Sequence, residues 1–158
     1  MCMSRTVFIE AALNGPWSQS RQPLMPVTTS DLITDGINCA KAGASIIHIH
    51  VYDPNTGKQF EDFDAYRAVI EGIREHQDVV VYPTLPLSGF ANTDQSFTPN
   101  DRFEIVEKLA KAGLLEWSVI DPGTTQITEL DTLNEEQIQF LYINSEPEIR
   151  YGLELASK

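Results

Sequence analysis

The chain has 158 residues, and its 23 acidic side chains outnumber its 11 lysines and arginines to give a formal charge of −12. This length suits one domain, and an apolar fraction of 42% is enough for a buried core. The negative charge disfavours binding to nucleic acid or to anionic membranes, because both repel it. No apolar run approaches the ~20 residues of a membrane-spanning helix, and Cys2 and Cys39 alone make no disulfide framework. We therefore expect a cytoplasmic globular protein with no nucleic-acid or membrane partner.

Short apolar segments rich in β-branched residues recur along the chain, and Pro or Gly follows each of them. Such segments predict strands that are buried on both faces. They are Thr6–Leu13, Ser45–Tyr52, Asp78–Thr84 and Glu116–Ile120.

Amphipathic segments with helical spacing alternate with these strands. They are Thr28–Ala42, Asp62–Gln77, a helix capped by Thr98–Asp101, Leu133–Asn144 and Pro147–Lys158. A strict alternation of strand and helix predicts a parallel sheet with right-handed crossovers, either as an open doubly wound sheet or as a (βα)8 barrel. The first loop, Asn14–Ser18, has no G-x-G-x-x-G pattern and no P-loop lysine, which disfavours a dinucleotide-binding fold. A barrel needs ~250 residues, so four units would make half of one.

Two histidines occupy alternate positions near the end of the second strand. A pleated strand directs the imidazoles of His48 and His50 to the same side. In a βα barrel, catalytic groups converge at this end of the strands. The pair supplies two of the three protein ligands of a catalytic zinc site, although H-x-H alone also occurs as a pair of structural histidines. The third histidine, His76, lies at a polar helix end, and we interpret it as solvated.

Other polar residues lie at the same ends of the predicted strands. Asn14 could offer its amide to a substrate carbonyl or carboxylate, or could simply form a turn with Gly15. Glu10 needs a partner inside a strand, either a metal-bound histidine or a cation such as Arg5. Hydroxyls after the third and fourth strands, including Thr84 and Thr124, could bind substrate oxygens.

Two further groups of polar residues receive structural interpretations. Asp53 and Asp121, each followed by proline, are expected to start turns. Arg102 and Glu104 lie at a helix start and are expected on its solvated face.

The sequence resembles the β-keto acid cleavage enzymes, which include 3-keto-5-aminohexanoate cleavage enzyme. The resemblance rests on Ala12–Gly15, on Pro26–Thr28 and on the block from Gly43 to Gly57 that contains both strand histidines. It continues through Asp121–Thr125 and the Asn144–Pro147 turn.

The resemblance implies a (βα)8 TIM barrel that holds zinc or another divalent metal through two histidines and a glutamate from the second half. It implies a reaction between a β-keto acid and acetyl-CoA that yields acetoacetate and a new acyl-CoA. By position, His48 and His50 would bind the metal, Thr84 would hydrogen-bond the keto acid, and Thr124 would be a further substrate contact. The family also tends to form homo-oligomers.

The chain departs from the family pattern at two positions. Tyr52 stands where many relatives have arginine, so a salt bridge there is not expected. Some relatives carry a substrate-selecting acidic residue after the first strand, where this chain has Pro16, Trp17 and Ser18. A neutral or apolar keto acid is therefore the expected substrate.

The repeats account for about the first four βα units of a barrel, and the sequence predicts one domain over residues 1–158, the N-terminal half. The third metal ligand, the general base and a substrate-binding arginine are then expected outside this chain. Two alternatives stay open: a zinc-dependent barrel hydrolase, and an inactive half-barrel that assembles with another chain or a second copy.

Overall fold

The structure, a computed structural model, describes residues 6–16, 19, 22–86, 98–128 and 139–158. It divides the chain into two compact units. The first comprises Met1–Thr84 and Lys108–Ser118, and the second comprises Leu85–Glu107 and Val119–Lys158. The prediction of a single domain over residues 1–158 stays a prediction, and each unit is described here by itself.

A parallel sheet forms the centre of the first unit. Its strands are β1 (Glu10–Ala12), β2 (Ile46–Ile49) and β3 (Val80–Pro83), hydrogen-bonded in the order β1-β2-β3. In this register, His48 lies between Ala12 on one side and Tyr82 on the other. Because the strands are parallel, the carboxyl ends of all three lie at the same end of the sheet.

Burial differs sharply between the strands. Every residue of β2 except His48 is buried, and β3 is buried from Val81 onward. Before β1, however, the side chains of Val7 and Phe8 are 73% and 77% exposed. The expectation that the first strand is buried on both faces is wrong: Glu10 and Ala12 are exposed and Ala11 is half-buried, whereas α1 packs against β2 and α2 packs against β3.

Two helices pack on this sheet, and local capping explains where they begin. Helix α1 (Thr29–Lys41) starts after Thr28, whose hydroxyl accepts a hydrogen bond from the Asp31 N–H. Helix α2 (Phe63–Arg74) starts after Asp62, whose carboxylate accepts from the Ala65 N–H. Four side chains of α2 at helical spacing are buried: Tyr66, Val69, Ile70 and Ile73. These helices confirm the predicted segments to within a few residues.

Antiparallel pairing, which the sequence did not predict, appears in the second unit. Strands β4 (Thr125–Thr128) and β5 (Gln139–Tyr142) form a two-stranded antiparallel sheet. The predicted strand Glu116–Ile120 is not a strand, and the end of the predicted helix 133–144 is β5 instead. A short apolar run fits a strand only if a neighbour pairs with it, and here the pairing begins at Thr125.

Two helices complete the description. Helix α3 (Pro99–Lys111) confirms the helix capped at Thr98, and the division between the units falls within it. Helix α4 (Glu146–Ala156) has Ser145 and Glu148 in a capping box, which confirms the last predicted helix.

These elements confirm an α/β chain with parallel strands and helices, while the (βα)8 barrel stays a prediction. Across the described residues, none of the helices has the length and apolar character needed to cross a membrane.

Candidate metal and substrate site

The two imidazoles of the second strand face each other. His48 is in β2 and His50 directly follows its last residue. Their Nε2 atoms lie 3.2 Å apart, and the rings stand at 80° with centroids 5.0 Å apart. The predicted convergence of His48 and His50 is therefore present.

Asn14 ties the ends of β1 and β2 together. Its Nδ2 donates to the carbonyl oxygens of Pro26 and His50, each at 2.9 Å. Its Oδ1 accepts from the His50 N–H at 2.8 Å. Both amide N–H groups are thus engaged with backbone, which fixes the backbone of His50 at the strand end.

A turn after the strand brings a polar side chain back to His50. Asp53 accepts from the backbone N–H groups of Asn55 and Gly57, which confirms the predicted turn. Gly57 has a φ of 65°, a conformation that favours glycine. The chain then folds back so that Gln59 pairs with Tyr52 in an antiparallel bridge.

Gln59 links His50 to an acidic side chain. Its Oε1 lies 2.8 Å from His50 Nδ1, and its Nε2 donates to Glu61 Oε1 at 3.1 Å. The sequence interpretation missed both Gln59 and Glu61. The signal available was the Asp53–Gly57 turn, which returns the chain toward β2 and so makes the next polar residues neighbours of His50.

Burial shifts the pKa values of both ends of this chain of contacts. It lowers the pKa of His50 to about 4, an effect that the Gln59 hydrogen bond opposes and the nearby His48 reinforces. It raises the pKa of Glu61 to about 6, against hydrogen bonds from Gln59 and Tyr66. At pH 7 the imidazole of His50 is therefore neutral, which is the form that binds metal ions.

The histidine pair matches part of a zinc site. In tetrahedral zinc with Zn–N bonds of ~2.0–2.1 Å, neighbouring nitrogens lie ~3.3 Å apart, close to the 3.2 Å between these Nε2 atoms. Among the described residues, however, no group of three or more His, Cys, Asp or Glu side chains could hold a metal ion. The pair accounts for two ligands.

Glu10 has a partner other than the two considered from the sequence. The Tyr82 hydroxyl donates to Glu10 Oε1 at 2.6 Å, and the Tyr82 ring lies 4.6 Å from that of His48. Arg5 is outside the described residues. Glu10 therefore orients the aromatic ring that packs against His48.

Thr84 lies beside the histidine pair. Pro83 pairs with Ile49, and the Thr84 N–H donates to the Ile49 carbonyl at 3.0 Å. Thr84 thus follows β3 at the level where His50 follows β2. The structure brings Asn14, His48, His50 and Thr84 to one edge of the sheet.

A groove of about 800 Å3 lies between the Met25–Ser30 segment and the turn after Tyr52, and Asn14, His48, His50 and Thr84 are not among its lining residues. Tyr52, whose hydroxyl donates to the Gly15 carbonyl, forms part of its wall. The lining is mixed: Met25, Val27 and Pro54 are apolar, and the polar groups are the amide of Gln19, the hydroxyls of Thr28, Thr29 and Ser30, and the carboxylate of Asp53. Trp17 and Ser18, which bear on the predicted substrate preference, lie outside the described residues.

Thr124 belongs to the second unit. It lines a groove of about 390 Å3 together with Asp121, Gly123, Tyr142 and Asn144. The Thr124 hydroxyl accepts a hydrogen bond from the Asn144 N–H at 3.2 Å, and the Asn144 side chain donates to the Gly123 carbonyl at 2.9 Å. The loop that carries Thr124 is thus held to the start of α4.

Arg102 is buried rather than solvated, so its expected place on an exposed helix face is wrong. It is 2% exposed, and its guanidinium donates to Tyr142, to Asn144 and to the carbonyl of Pro86. Its Nη1 lies 3.3 Å from the Glu148 carboxylate. The position near a helix start does not reveal this, because the partners come from the distant β5–α4 segment.

His76 lies just beyond α2 on an exposed helix end, as interpreted from the sequence. Its Nδ1 lies 3.1 Å from the Gly72 carbonyl. It therefore offers a solvated histidine for comparison with the strand pair.

An α/β chain with imidazoles at the carboxyl end of a parallel strand is typical of enzymes that bind small molecules at that edge. Residues 6–158 match the family model described as beta-keto acid cleavage enzyme. The chain belongs to this family, which confirms the resemblance seen in the sequence.

Several characterised proteins share part of the sequence. The chain is 36% identical over 107 residues to a 3-dehydrocarnitine:acetyl-CoA trimethylamine transferase from Rhizobium meliloti, covering 65% of this chain and 36% of the relative. It is 31% identical over 83 residues to a 3-keto-5-aminohexanoate cleavage enzyme from Fusobacterium nucleatum subsp. nucleatum, covering 52% and 30%. It is 29% identical over 105 residues to a 3,5-dioxohexanoate:acetyl-CoA acetone transferase from Paraburkholderia graminis, covering 66% and 34%. The matched segment spans about a third of each relative's length.

Proposed function

We propose that this chain contributes the metal-binding part of a β-keto acid cleavage enzyme that uses acetyl-CoA and releases acetoacetate and a new acyl-CoA. The observation that carries the proposal is the 3.2 Å separation of the His48 and His50 Nε2 atoms at the carboxyl end of β2. Acetyl-CoA as co-substrate is supported by the names of the relatives from Rhizobium meliloti and Paraburkholderia graminis.

His48 and His50 would hold a divalent metal, with zinc the expected ion. When bound, such an ion supplies Lewis-acid polarisation of a keto or carboxylate oxygen. The protein's own contribution is to keep the His50 imidazole neutral and to hold both imidazoles facing each other. Burial of His50 and the Asn14 hydrogen bonds to its backbone support this role.

Thr84, Asn14 and Thr124 are proposed as substrate contacts. Thr84 follows β3 beside His50, and its hydroxyl would donate to an oxygen of the keto acid. Asn14 Oδ1 can accept a second hydrogen bond besides that from His50 N–H. Thr124 would act from its own unit, where its loop is held by Asn144.

The groove beside Tyr52 would take the substituent of the keto acid. Its wall includes the apolar side chains of Met25 and Val27. Asp53 also lines it, but its carboxylate accepts from the Asn55 N–H within the turn. The apolar side chains support a neutral or apolar keto acid, whereas the Asp53 carboxylate would favour one that carries an amino group, and the two series of keto acids below decide between them.

We infer that a C-terminal half, in the same polypeptide or in another, completes the site as a (βα)8 barrel. Catalytic zinc has three protein ligands, and the described residues bring together two. The exposed residues before β1 support the same inference, since a closed barrel would pair and cover that edge.

Zinc binding and acetoacetate release test this proposal together. The chain alone supplies two of the three ligands, so wild-type protein should bind zinc weakly in equilibrium dialysis, with the bound zinc measured by mass spectrometry, and His48→Ala and His50→Ala should bind less. His76→Ala is the matched control and should bind as wild type, because His76 lies on an exposed helix end. Zinc binding equal to that of wild type in His48→Ala or His50→Ala would refute the assigned ligands.

Activity is then measured with acetyl-CoA and two series of keto acids, one neutral and one amino-bearing. Zinc binding with acetoacetate release from the neutral series supports the proposal. Zinc binding without turnover, and turnover on addition of a C-terminal half, identifies the chain as an assembly module that is inactive alone. No turnover in either case contradicts the proposed reaction.

A further inference from the structure

Glu61 lies two hydrogen bonds away from the imidazole of His50, with Gln59 between them. It accepts from Gln59 Nε2 at 3.1 Å, and Gln59 Oε1 lies 2.8 Å from His50 Nδ1. The side chains of Glu61, Gln59 and His50 are thus connected in series, and the far nitrogen of His50, Nε2, faces His48. We propose that Glu61 is a positioning residue that acts through Gln59 to hold His50 as the Nδ1–H tautomer, with the Nε2 lone pair directed at His48.

The argument starts from the polarity of a carboxylate. An ionised carboxylate can only accept hydrogen bonds, so the end of the Gln59 amide that faces Glu61 must be the NH2 group. Burial raises the pKa of Glu61 to about 6, which leaves the carboxyl ionised at pH 8. The opposite orientation would place the Gln59 carbonyl oxygen against the carboxylate oxygen, two acceptors with no hydrogen between them.

The orientation of Gln59 then determines which nitrogen of His50 carries hydrogen. With its NH2 group toward Glu61, Gln59 presents Oε1, an acceptor, to His50. Above the ordinary pKa of imidazole, ~6.5, the ring carries a single N–H. That hydrogen must lie on Nδ1 to donate to Gln59, so Nε2 keeps its lone pair.

The consequence reaches the site itself. A metal-bound histidine ligates through a nitrogen without hydrogen, and its other N–H is normally held by a carboxylate or carbonyl acceptor. Glu61 therefore prepares His50 before any ion arrives. The Gln59 amide lies between the Glu61 carboxylate and the His50 imidazole. It therefore fixes the tautomer of His50 without placing the negative charge of Glu61 in contact with the ring.

This inference rests on the proposed function only for the identity of the ligand, because the tautomer exists without metal. The first measurement is therefore made on metal-free full-length chain at pH 8, by long-range 1H–15N correlation NMR of the histidine rings. Wild-type His50 should show a protonated Nδ1 and an unprotonated Nε2. In Glu61→Gln, which keeps the shape but can also donate, the two tautomers should mix.

The second measurement is zinc affinity, by competition with a chelator of known affinity. Loss of an outer partner of a metal-bound histidine typically weakens binding by ~10–100-fold, and we expect a loss of about 10-fold in Glu61→Gln. Glu75→Gln is the matched control, since Glu75 is exposed at the end of α2 and makes the same change of charge.

A swapped pair separates positioning from a general effect on folding. In Gln59→Glu/Glu61→Gln, the carboxylate at position 59 accepts directly from His50 Nδ1–H, and the amide at position 61 donates to it. The double variant should restore the single tautomer and the zinc affinity lost in Glu61→Gln.

The outcomes separate this inference from the proposed function. An unchanged His50 tautomer in Glu61→Gln overturns the inference whether or not zinc binds. A mixed tautomer in Glu61→Gln that the swapped pair restores supports it, even if wild type binds no zinc and the proposed function fails. A mixed tautomer that the swapped pair does not restore also overturns it.

Discussion

The imidazole of His50 is buried in the folded chain, with the side chain of Gln59 at one nitrogen and His48 at the other. Burial is the largest cause that lowers its pKa from 6.5 to about 4. Between these two pH values the unfolded chain binds a proton that the folded chain excludes. The free energy of unfolding should therefore fall as the pH drops below about 6.5, in proportion to the shift.

His50→Gln should abolish this part of the pH dependence. At 1.36 kcal/mol per pKa unit, the wild type should lose about 2–3 kcal/mol relative to the variant between pH 7.5 and pH 4.5. Urea unfolding of metal-free protein at the two pH values measures the difference. Glu61 has a raised pKa, and its contribution is gained rather than lost as the pH falls through 6, but it is present in both proteins.

The control for this experiment is His76→Gln, because His76 is exposed and its replacement should leave the wild-type pH dependence intact. If His50→Gln and wild type lost stability in parallel from pH 7.5 to pH 4.5, the buried neutral state of His50 would be disproved.

At the scale of residues, the sequence predicts on which side of a strand a side chain lies, because side chains alternate along a strand. His48 and His50 were expected on one side because the pleat has a period of two residues. Gln59 and Glu61 escaped notice because their contact with β2 depends on the geometry of the intervening turn. Arg102 was misplaced because polarity at a helix start does not distinguish a solvated guanidinium from one that is paired with Glu148 and held by backbone carbonyls.

At the scale of elements, helices α1 and α2 approach closely through glycines. A Cβ added at Gly36 would lie 2.4 Å from Ile73 Cδ1, and one added at Gly72 would lie 2.5 Å from Ile33 Cδ1. Neither distance can persist, so one side chain would have to move. Ile73 is fully buried and has little room to do so.

Gly36→Ala should therefore destabilise the protein although alanine favours helix. The propensity gain of ~1 kcal/mol is outweighed by overpacking, typically ~1–3 kcal/mol, for a net loss of about 1 kcal/mol. Thermal or urea unfolding measures it, with Asn38→Ala on the exposed face of α1 as the control that should not destabilise.

A double-variant cycle tests the cause. Ile73→Val removes the Cδ1 atom that the new methyl group would meet, so Gly36→Ala/Ile73→Val should cost less than the sum of the single changes. Strict additivity would show that the loss in Gly36→Ala has another origin.

Helices α1 and α2 were predictable because capping residues and spacing act within a few positions. The β4–β5 sheet was not, since a strand exists only with a neighbour that pairs with it, and the composition of a segment does not identify that neighbour. The segment at residues 116–120 has the composition of a strand. Its start is bound instead by the Arg74 side chain, which donates to the Leu114 carbonyl and to the Glu116 carboxylate. Closure of a (βα)8 barrel likewise requires further parallel strands to pair with β1 and β3, so the barrel stays a prediction.

At the scale of the whole molecule, a large negative charge and an exposed apolar edge act against each other. The charge of −12 repels other copies of the chain. Val7 and Phe8 expose large apolar side chains directly before β1, which among the described strands lies at one edge of the sheet, with β3 at the other. An exposed edge with apolar neighbours favours pairing with another chain.

The chain should therefore self-associate, and salt should promote it. Raising the salt from about 0.05 to about 0.5 M shortens the Debye length from ~14 to ~4 Å, which weakens repulsion and leaves apolar contact intact. Sedimentation velocity over a concentration series should show a larger mean mass at the higher salt. Phe8→Lys should reduce this association, whereas Leu24→Lys should not, although Leu24 is 89% exposed and the change of charge is identical. Equal effects of the two substitutions would assign the association to charge or to general hydrophobicity. A monomer at every salt concentration would show that the exposed residues before β1 do not attract a second copy.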